Sequence, residues 1–482
     1  MQSSAVATAA SQVVRVGLLS AMSKIDPRES ADNISDLILG QVFDAPYAIL
    51  SGDTHARPLL FEPLRAEGTL QYSAAVRPGM KFSDGTPLTA ELAVRSLRGA
   101  KILQNKTSVE ARGERVWFTL TSPNPRFDLT LTQSNTAIVL DRGTQLLGTG
   151  AFMFDHRPNL RLLQAAKSFR LIRNPHYAGK SGVEELEFRI CPASEDGTPR
   201  ALVEALRNGE VDVTSSLSMA DLSATPIAGV APSMQPGNST GFLVFNCERR
   251  VLMNTDVRRG LALALDVHEL AAKSFDKNPA AFVASSLLPP MMGRTIGLPS
   301  TDREAATRLL DASGAKPARL TLLVPWAPRP YLPKPLPVAQ AVQRQLAQVG
   351  VAVALHQTKT SDEFFGDLTR GNYDLALAGW IADTPDPADF FEALLWSKMC
   401  GIENHHSNHS RWRNAAIDAA LARFREEPTE EHKRDIVRII REEAPLVPLI
   451  HGQSVVVHSR RMRNVSVSAT GVLALSCVTV SG

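Results

Sequence analysis

The run from Leu320 to Ala378 constrains the fold of this chain more than any other stretch. Residues 320–324 are apolar, Val338, Val342, Leu346 and Val349 recur at helical spacing up to Gly350, and 351–355 form a second apolar run. A short helix over 362–368 and a third apolar run over 373–378 follow. Strand, helix, strand, helix, strand is the pattern of a parallel sheet with helices on both faces, so the chain is of the α/β class.

Where the third strand ends, residues 379–391 read G-W-I-A-D-T-P-D-P-A-D-F-F. Trp380 and Asp383 are expected where the strand leaves the sheet, and ligands of such sheets bind at strand ends. An aromatic wall beside a carboxylate, in a loop stiffened by Pro385 and Pro387, suits an amine or another cationic group. Composition alone also fits a surface turn with a half-buried Trp.

Other segments punctuate the chain in order. K-I-D-P at 24–27 is followed by V-R-P-G-M-K-F-S-D-G-T-P-L-T-A-E at 76–91, which reads as a strand, an Asp-Gly turn and a helix with Thr89 as N-cap. G-T-G-A-F at 148–152 suits positive φ or close backbone approach at a strand entry; without a following Gly-Lys-Ser/Thr it is no phosphate loop. R-N-P-H-Y at 173–177 follows, then a helix over 201–208 closed by Gly209 before a strand at 211–213. Phe245-Asn246 precedes D-V-R-R-G-L-A-L-A-L-D at 256–266, where Val257, Leu261 and Leu265 mark an apolar helix face. S-N-H-S-R-W-R-N at 407–414, with Asp418, and A-P-L-V-P-L-I at 444–450 complete the series.

In this order the segments resemble the motifs of the family 5 extracellular solute-binding proteins, receptors of ABC importers for oligopeptides, dipeptides, nickel chelates and related solutes. The resemblance runs from about residue 13 to 465. It implies a two-lobed periplasmic-binding-protein-like fold of type II, with an extra inserted subdomain and a hinged ligand cleft. Lobe I would comprise 11–40, 148–236 and 441–482, the inserted subdomain 41–147, and lobe II 237–440. It implies a monomer that binds a peptide or another small amine-bearing compound and delivers it to a permease and ATPase, with no cofactor and no catalysis.

The resemblance also implies roles for residues. Asp383 would pair with the α-ammonium of the ligand while Trp380 packs on it, and Thr384 stands where the family frequently has an aromatic residue. Arg411, beside Trp412, would meet a ligand carboxylate with a bidentate fork, or else pair with Asp418 or another carboxylate. Asn246 and Asn408 are candidates for hydrogen bonds to the ligand, and Met22 is a first-lobe candidate by position. His405, His406 and His409, beside Cys400, have spacing permissive for a metal. Exposed polar side chains are the preferred reading there, because the family motif continues through His409, and no metal site is expected.

Charge and length narrow the alternatives. Of 482 residues 44% are hydrophobic, enough for two substantial cores, and 52 basic against 49 acidic residues leave a net charge of +3. No basic run resembles a nucleic-acid-binding arm, and no apolar run approaches the length of a membrane span. G-x-S-x-G, H-E-x-x-H, Walker and dinucleotide motifs are absent. Cys191, Cys247, Cys400 and Cys477 form no C-x-x-C pair; a bridge between Cys247 and Cys400 is compatible with the sequence, but spacing leaves connectivity open. Residues 1–11 lack a basic n-region and a long apolar core. An extracytoplasmic receptor therefore requires a signal already removed. If Met1 is the native start, the alternative is a cytoplasmic protein of the same fold recruited as a biosynthetic enzyme or ligand sensor.

Overall fold

Alternation of large apolar side chains along the strands organises the cores of this computed structural model. It describes residues 13–480 except 31, 51–52, 144, 195–197, 218–220, 223–226, 276–281, 294–300, 315–318, 402–406 and 468–472. The chain divides into two units, Met1–Gln235 with Ser454–Gly482, and Pro236–Gln453. It leaves the first unit within the strand Val230–Phe245 and returns to it within the strand Leu446–Ser459. The return falls at 453/454 rather than at 440/441 because Leu446, Val447, Leu449 and Ile450 are buried in the clusters of the second unit.

In the first unit, β1 (Val13–Leu18), β2 (Phe152–Phe154), β3 (Ser168–Arg173), β4 (Glu185–Ile190) and β5 (Val213–Thr214) lie in the order β2-β3-β4-β1-β5. β1 is parallel to β4 and β5, whereas β3 is antiparallel to β2 and β4. Val14, Val16, Leu171, Leu186 and Phe188 form its core, and Met22 is fully buried in the same cluster. Asp212 precedes β5 instead of lying inside it and holds Arg15 through its Nε at 2.8 Å and Nη2 at 2.9 Å. Gly148 is required by close approach: a β-carbon there would come 2.0 Å from the Val42 carbonyl oxygen.

Residues 47–147 carry a separate hydrophobic cluster and a small sheet ordered Arg65–Ala66, Gln71–Ala75, Arg115–Leu120, Thr107–Arg112. Helix α1 (Ala90–Arg98) starts at Thr89, whose hydroxyl accepts from the Leu92 N–H as the sequence predicts.

The second unit contains β7 (Arg319–Val324), β8 (Ala352–Gln357) and β9 (Leu375–Ile381) with the second-unit parts of β6 (Val230–Phe245) and β10 (Leu446–Ser459), ordered β10-β6-β9-β7-β8. β7 runs parallel to β8 and β9, while β6 is antiparallel to β9. Leu243, Phe245, Leu322, Leu375 and Leu377 point into one cluster with helices α2 (Thr255–Leu263) and α3 (Pro335–Ala347). Their neighbours Phe242, Val244, Leu323, Ala376 and Ala378 point into another, with α4 (Ser361–Arg370), α5 (Pro387–Leu395), α6 (Ala415–Glu426) and α7 (Glu430–Glu443). Both faces of the sheet are thus buried under helices, which explains why its strands read as continuous apolar runs. Among the described residues no helix is long and apolar enough to cross a membrane.

Candidate functional site

Parallel strands deliver their C-terminal ends to one edge of a sheet, and in open α/β folds ligands gather outside that edge. In the second unit the segments leaving it are 325–334 after β7, 358–360 after β8 and 382–386 after β9.

β9 extends to Ile381, three residues beyond the strand read from the sequence, so Trp380 is its penultimate residue rather than a loop residue. Trp380 is half-buried against the cluster beneath it. Ala382 closes the strand through a pair of hydrogen bonds, its N–H donating to the Asn238 carbonyl at 2.7 Å and its carbonyl accepting from Asn238 Nδ2 at 3.1 Å. Asp383 follows and is exposed.

Beyond Asp383 the chain is locked to α5. Thr384, 2% exposed, donates its hydroxyl to Asp389 Oδ2 at 2.8 Å, and Asp386 caps the helix by accepting from the Ala388 N–H at 2.9 Å. Arg425 of α6 reaches three carboxylates of this segment: Glu392 at 2.8 Å, Asp389 at 2.7 Å and Asp386 at 3.4 Å. The Thr384 hydroxyl therefore serves the helix start.

The segment 325–334 rests on the same strands. Tyr331, 7% exposed, lies over the facing pair Gly241 and Gly379. Two residues earlier, the Arg329 guanidinium stands 5.4 Å from the Phe365 ring centroid and donates to the Ser361 hydroxyl at 3.2 Å. Its Nε is buried without a hydrogen-bond partner among the described residues. A cation with a desolvated, unsatisfied N–H is costly unless an acceptor arrives. Neither residue was singled out in the sequence, although Arg-Pro-Tyr after a parallel strand was an available signal.

On the neighbouring β6, Thr240 pairs with Trp380 across the strands and its Oγ1 is 3.1 Å from His451 Nδ1. Burial pushes the His451 pKa down to about 4, so its imidazole is neutral at pH 7.

The other sequence candidates have structural employment. Asn246 donates to the carbonyls of Gly371 and Tyr373, Asn408 to those of Trp396 and Trp412, and Trp412 is 4% exposed in the core. Arg411 pairs with Glu248 at 2.9 Å, not with Asp418, which accepts from the Ser397 N–H. With its polar atoms so engaged, this group braces the 407–412 segment against the sheet. Met22 is likewise core, in the first unit. His405 and His406 lie outside the described residues; His409 is half-buried and its carbonyl accepts from the Tyr373 hydroxyl. All four cysteines are free thiols, so the bridge between Cys247 and Cys400 is not formed.

Residues 56–398 match the family model described as bacterial extracellular solute-binding proteins, family 5 Middle. The peptide transport periplasmic protein SapA of Salmonella typhimurium is 28% identical over 324 residues, covering 64% of this chain and 55% of SapA. The chain thus spans about half the length of the curated relatives it matches. HbpA2 from Haemophilus parasuis superposes with a TM-score of 0.83 at 22% identity, covering 98% of this chain and 100% of HbpA2. A dipeptide-binding protein from Pseudoalteromonas, in complex with Met-Leu, superposes with a TM-score of 0.77 at 19% identity over 98% of this chain and 100% of its own. These likenesses give the periplasmic-binding-protein fold expected from the sequence, and with the match over 56–398 the chain belongs to the bacterial extracellular solute-binding proteins of family 5.

Proposed function

We propose that this chain binds a short peptide or another small amine-bearing solute outside the cytoplasm and hands it to the permease and ATPase of an ABC importer. The observation carrying this reading is the edge of the parallel sheet in the second unit. There Trp380 offers an aromatic wall, Asp383 an exposed carboxylate and Arg329 a guanidinium whose buried Nε–H has no acceptor among the described residues. A carboxylate for an ammonium and a guanidinium for a carboxylate are the two recognition elements a zwitterionic peptide needs. The names of the relatives, peptide transport and dipeptide binding, support the same solute class. Binding is non-covalent and needs no catalytic group.

Calorimetric titration with a panel of free dipeptides and their N-acetylated forms tests the reading. Free dipeptides are expected to bind, and acetylation to abolish binding by removing the ammonium. Asp383→Asn is expected to cost about 1.5–3 kcal/mol, roughly tenfold to a hundredfold in affinity. Equal affinity for free and acetylated peptides would remove Asp383 from the role assigned to it.

A further inference from the structure

His356, Glu363 and Asp367 come together at the same end of the sheet in an arrangement the solute-binding reading does not use. His356 is the penultimate residue of β8, and Glu363 and Asp367 stand four apart on α4, hence on one face of the helix. One donor atom from each lies within 4.8 Å of the other two, and His356 Nε2 is 3.2 Å from Asp367 Oδ2. Donors around a tetrahedral ion at about 2.0–2.1 Å are separated by roughly 3.3–3.4 Å. One edge of such a tetrahedron is already near its required length.

The bonds these carboxylates make elsewhere leave the needed oxygens available. Asp367 uses Oδ1 for Arg370 Nη2 at 2.8 Å and Asn372 Nδ2 at 3.0 Å, and turns Oδ2 to His356. Glu363 uses Oε2 to accept from the Lys359 N–H at 2.6 Å, leaving Oε1. Partners of this kind fix the orientation of metal-ligating carboxylates. Burial works against ionised Asp367, but hydrogen bonds from Asn372, Arg370 and His356 outweigh it and hold its pKa below the usual carboxylate value. The side chain of Arg370 is 58% exposed, so solvent screens its charge.

We propose that His356, Glu363 and Asp367 form a three-ligand site for a divalent cation of the zinc class, with water in the fourth position. Three protein donors are too few for calcium, which takes six to eight oxygens, and the imidazole favours zinc, nickel or copper. Such an ion would clamp β8 to the first turns of α4, the helix whose Ser361 accepts from Arg329.

The test uses the full chain stripped of metal with a chelator. Zn2+ is titrated calorimetrically and Co2+ by visible absorption, whose band intensity reports four-coordinate geometry. One ion per chain is expected, with both signals lost in His356→Ala and affinity lowered about tenfold or more in Glu363→Gln. Far-ultraviolet circular dichroism checks that both variants are folded; His356 is 42% exposed and Glu363→Gln keeps the oxygen that accepts from Lys359. Absence of Zn2+ binding by the wild-type chain overturns the proposal, leaving an imidazole–carboxylate pair and a helix cap. So does binding that survives in His356→Ala, including binding that instead depends on His405 and His406.

Discussion

Tyr331 lies on Gly379: a β-carbon built on that glycine would come 2.2 Å from Tyr331 Cδ2, far inside van der Waals contact. On β6 the facing residue is Gly241, where a β-carbon would come 2.3 Å from the Tyr331 carbonyl oxygen. Two glycines opposite one another across a strand pair leave a shallow trough in the sheet, and Tyr331 fills it. The glycine opening the G-W-I-A-D segment is therefore a packing requirement, and φ plays no part, since Gly379 is not among the positive-φ glycines.

Gly379→Ala is accordingly expected to destabilise the protein by about 1–3 kcal/mol, the range for overpacking a well-filled site. The cost should shrink in a Tyr331→Ala background, where the ring is gone. Urea unfolding of both single variants and the double variant forms the cycle, and strict additivity would rule out the contact as the cause.

Local signals carried the sequence reading a long way and then stopped at a definable point. Thr89 as a cap, the apolar faces of α2 and α3, and the parallel β7, β8 and β9 were all legible because spacing and hydrogen-bonding chemistry determine them. The third strand was displaced because Tyr373 is apolar and buried without belonging to it, anchored by its hydroxyl to the His409 carbonyl. Arg425 with Asp386, Tyr331 over Gly379, and His451 beside Thr240 were not legible, since each joins residues on different elements. Asn246, Asn408 and Arg411 show the converse: motif residues that look like ligand contacts are consumed by backbone carbonyls and by Glu248.

Arg425 supports a second prediction. Its removal takes a shared cation away from Asp386, whose side chain is 3% exposed, and from Asp389 and Glu392. Arg425→Met should destabilise the fold by about 3–5 kcal/mol, the usual cost of stranding a buried charge. Arg425→Lys should fall between, because one ammonium cannot span three carboxylates. Urea unfolding of both variants against the wild type checks this, and equal losses in Arg425→Lys and Arg425→Met would point to packing alone.

The thiols should react in a fixed order. Cys477 is exposed, while burial raises the pKa of Cys191, that of Cys400 to about 11 and that of Cys247 to about 12. Because the thiolate is the reactive form, a disulfide reagent at pH 8 should modify Cys477 first and Cys247 last. Peptide mapping after brief labelling checks the order, and early modification of Cys247 would contradict the burial seen around it.

His451 should make stability depend on acid in a particular window. It is 6% exposed, and burial lowers its pKa from an ordinary 6.5 to about 4. Between those two values the unfolded chain binds a proton that the folded chain refuses, so unfolding is favoured as the pH falls. The stability associated with neutral His451 is fully present above pH 6.5, declines below it and is lost by about pH 4, amounting to about 3 kcal/mol. His451→Gln keeps a polar group for Thr240 Oγ1 but cannot titrate. Between pH 7 and pH 4.5 the wild-type protein should therefore lose about 2–3 kcal/mol more than this variant, read from urea unfolding free energies at the two pH values. Parallel losses in the two proteins would mean that the imidazole is protonated within the fold, and that Thr240 and the strands around it accommodate the charge.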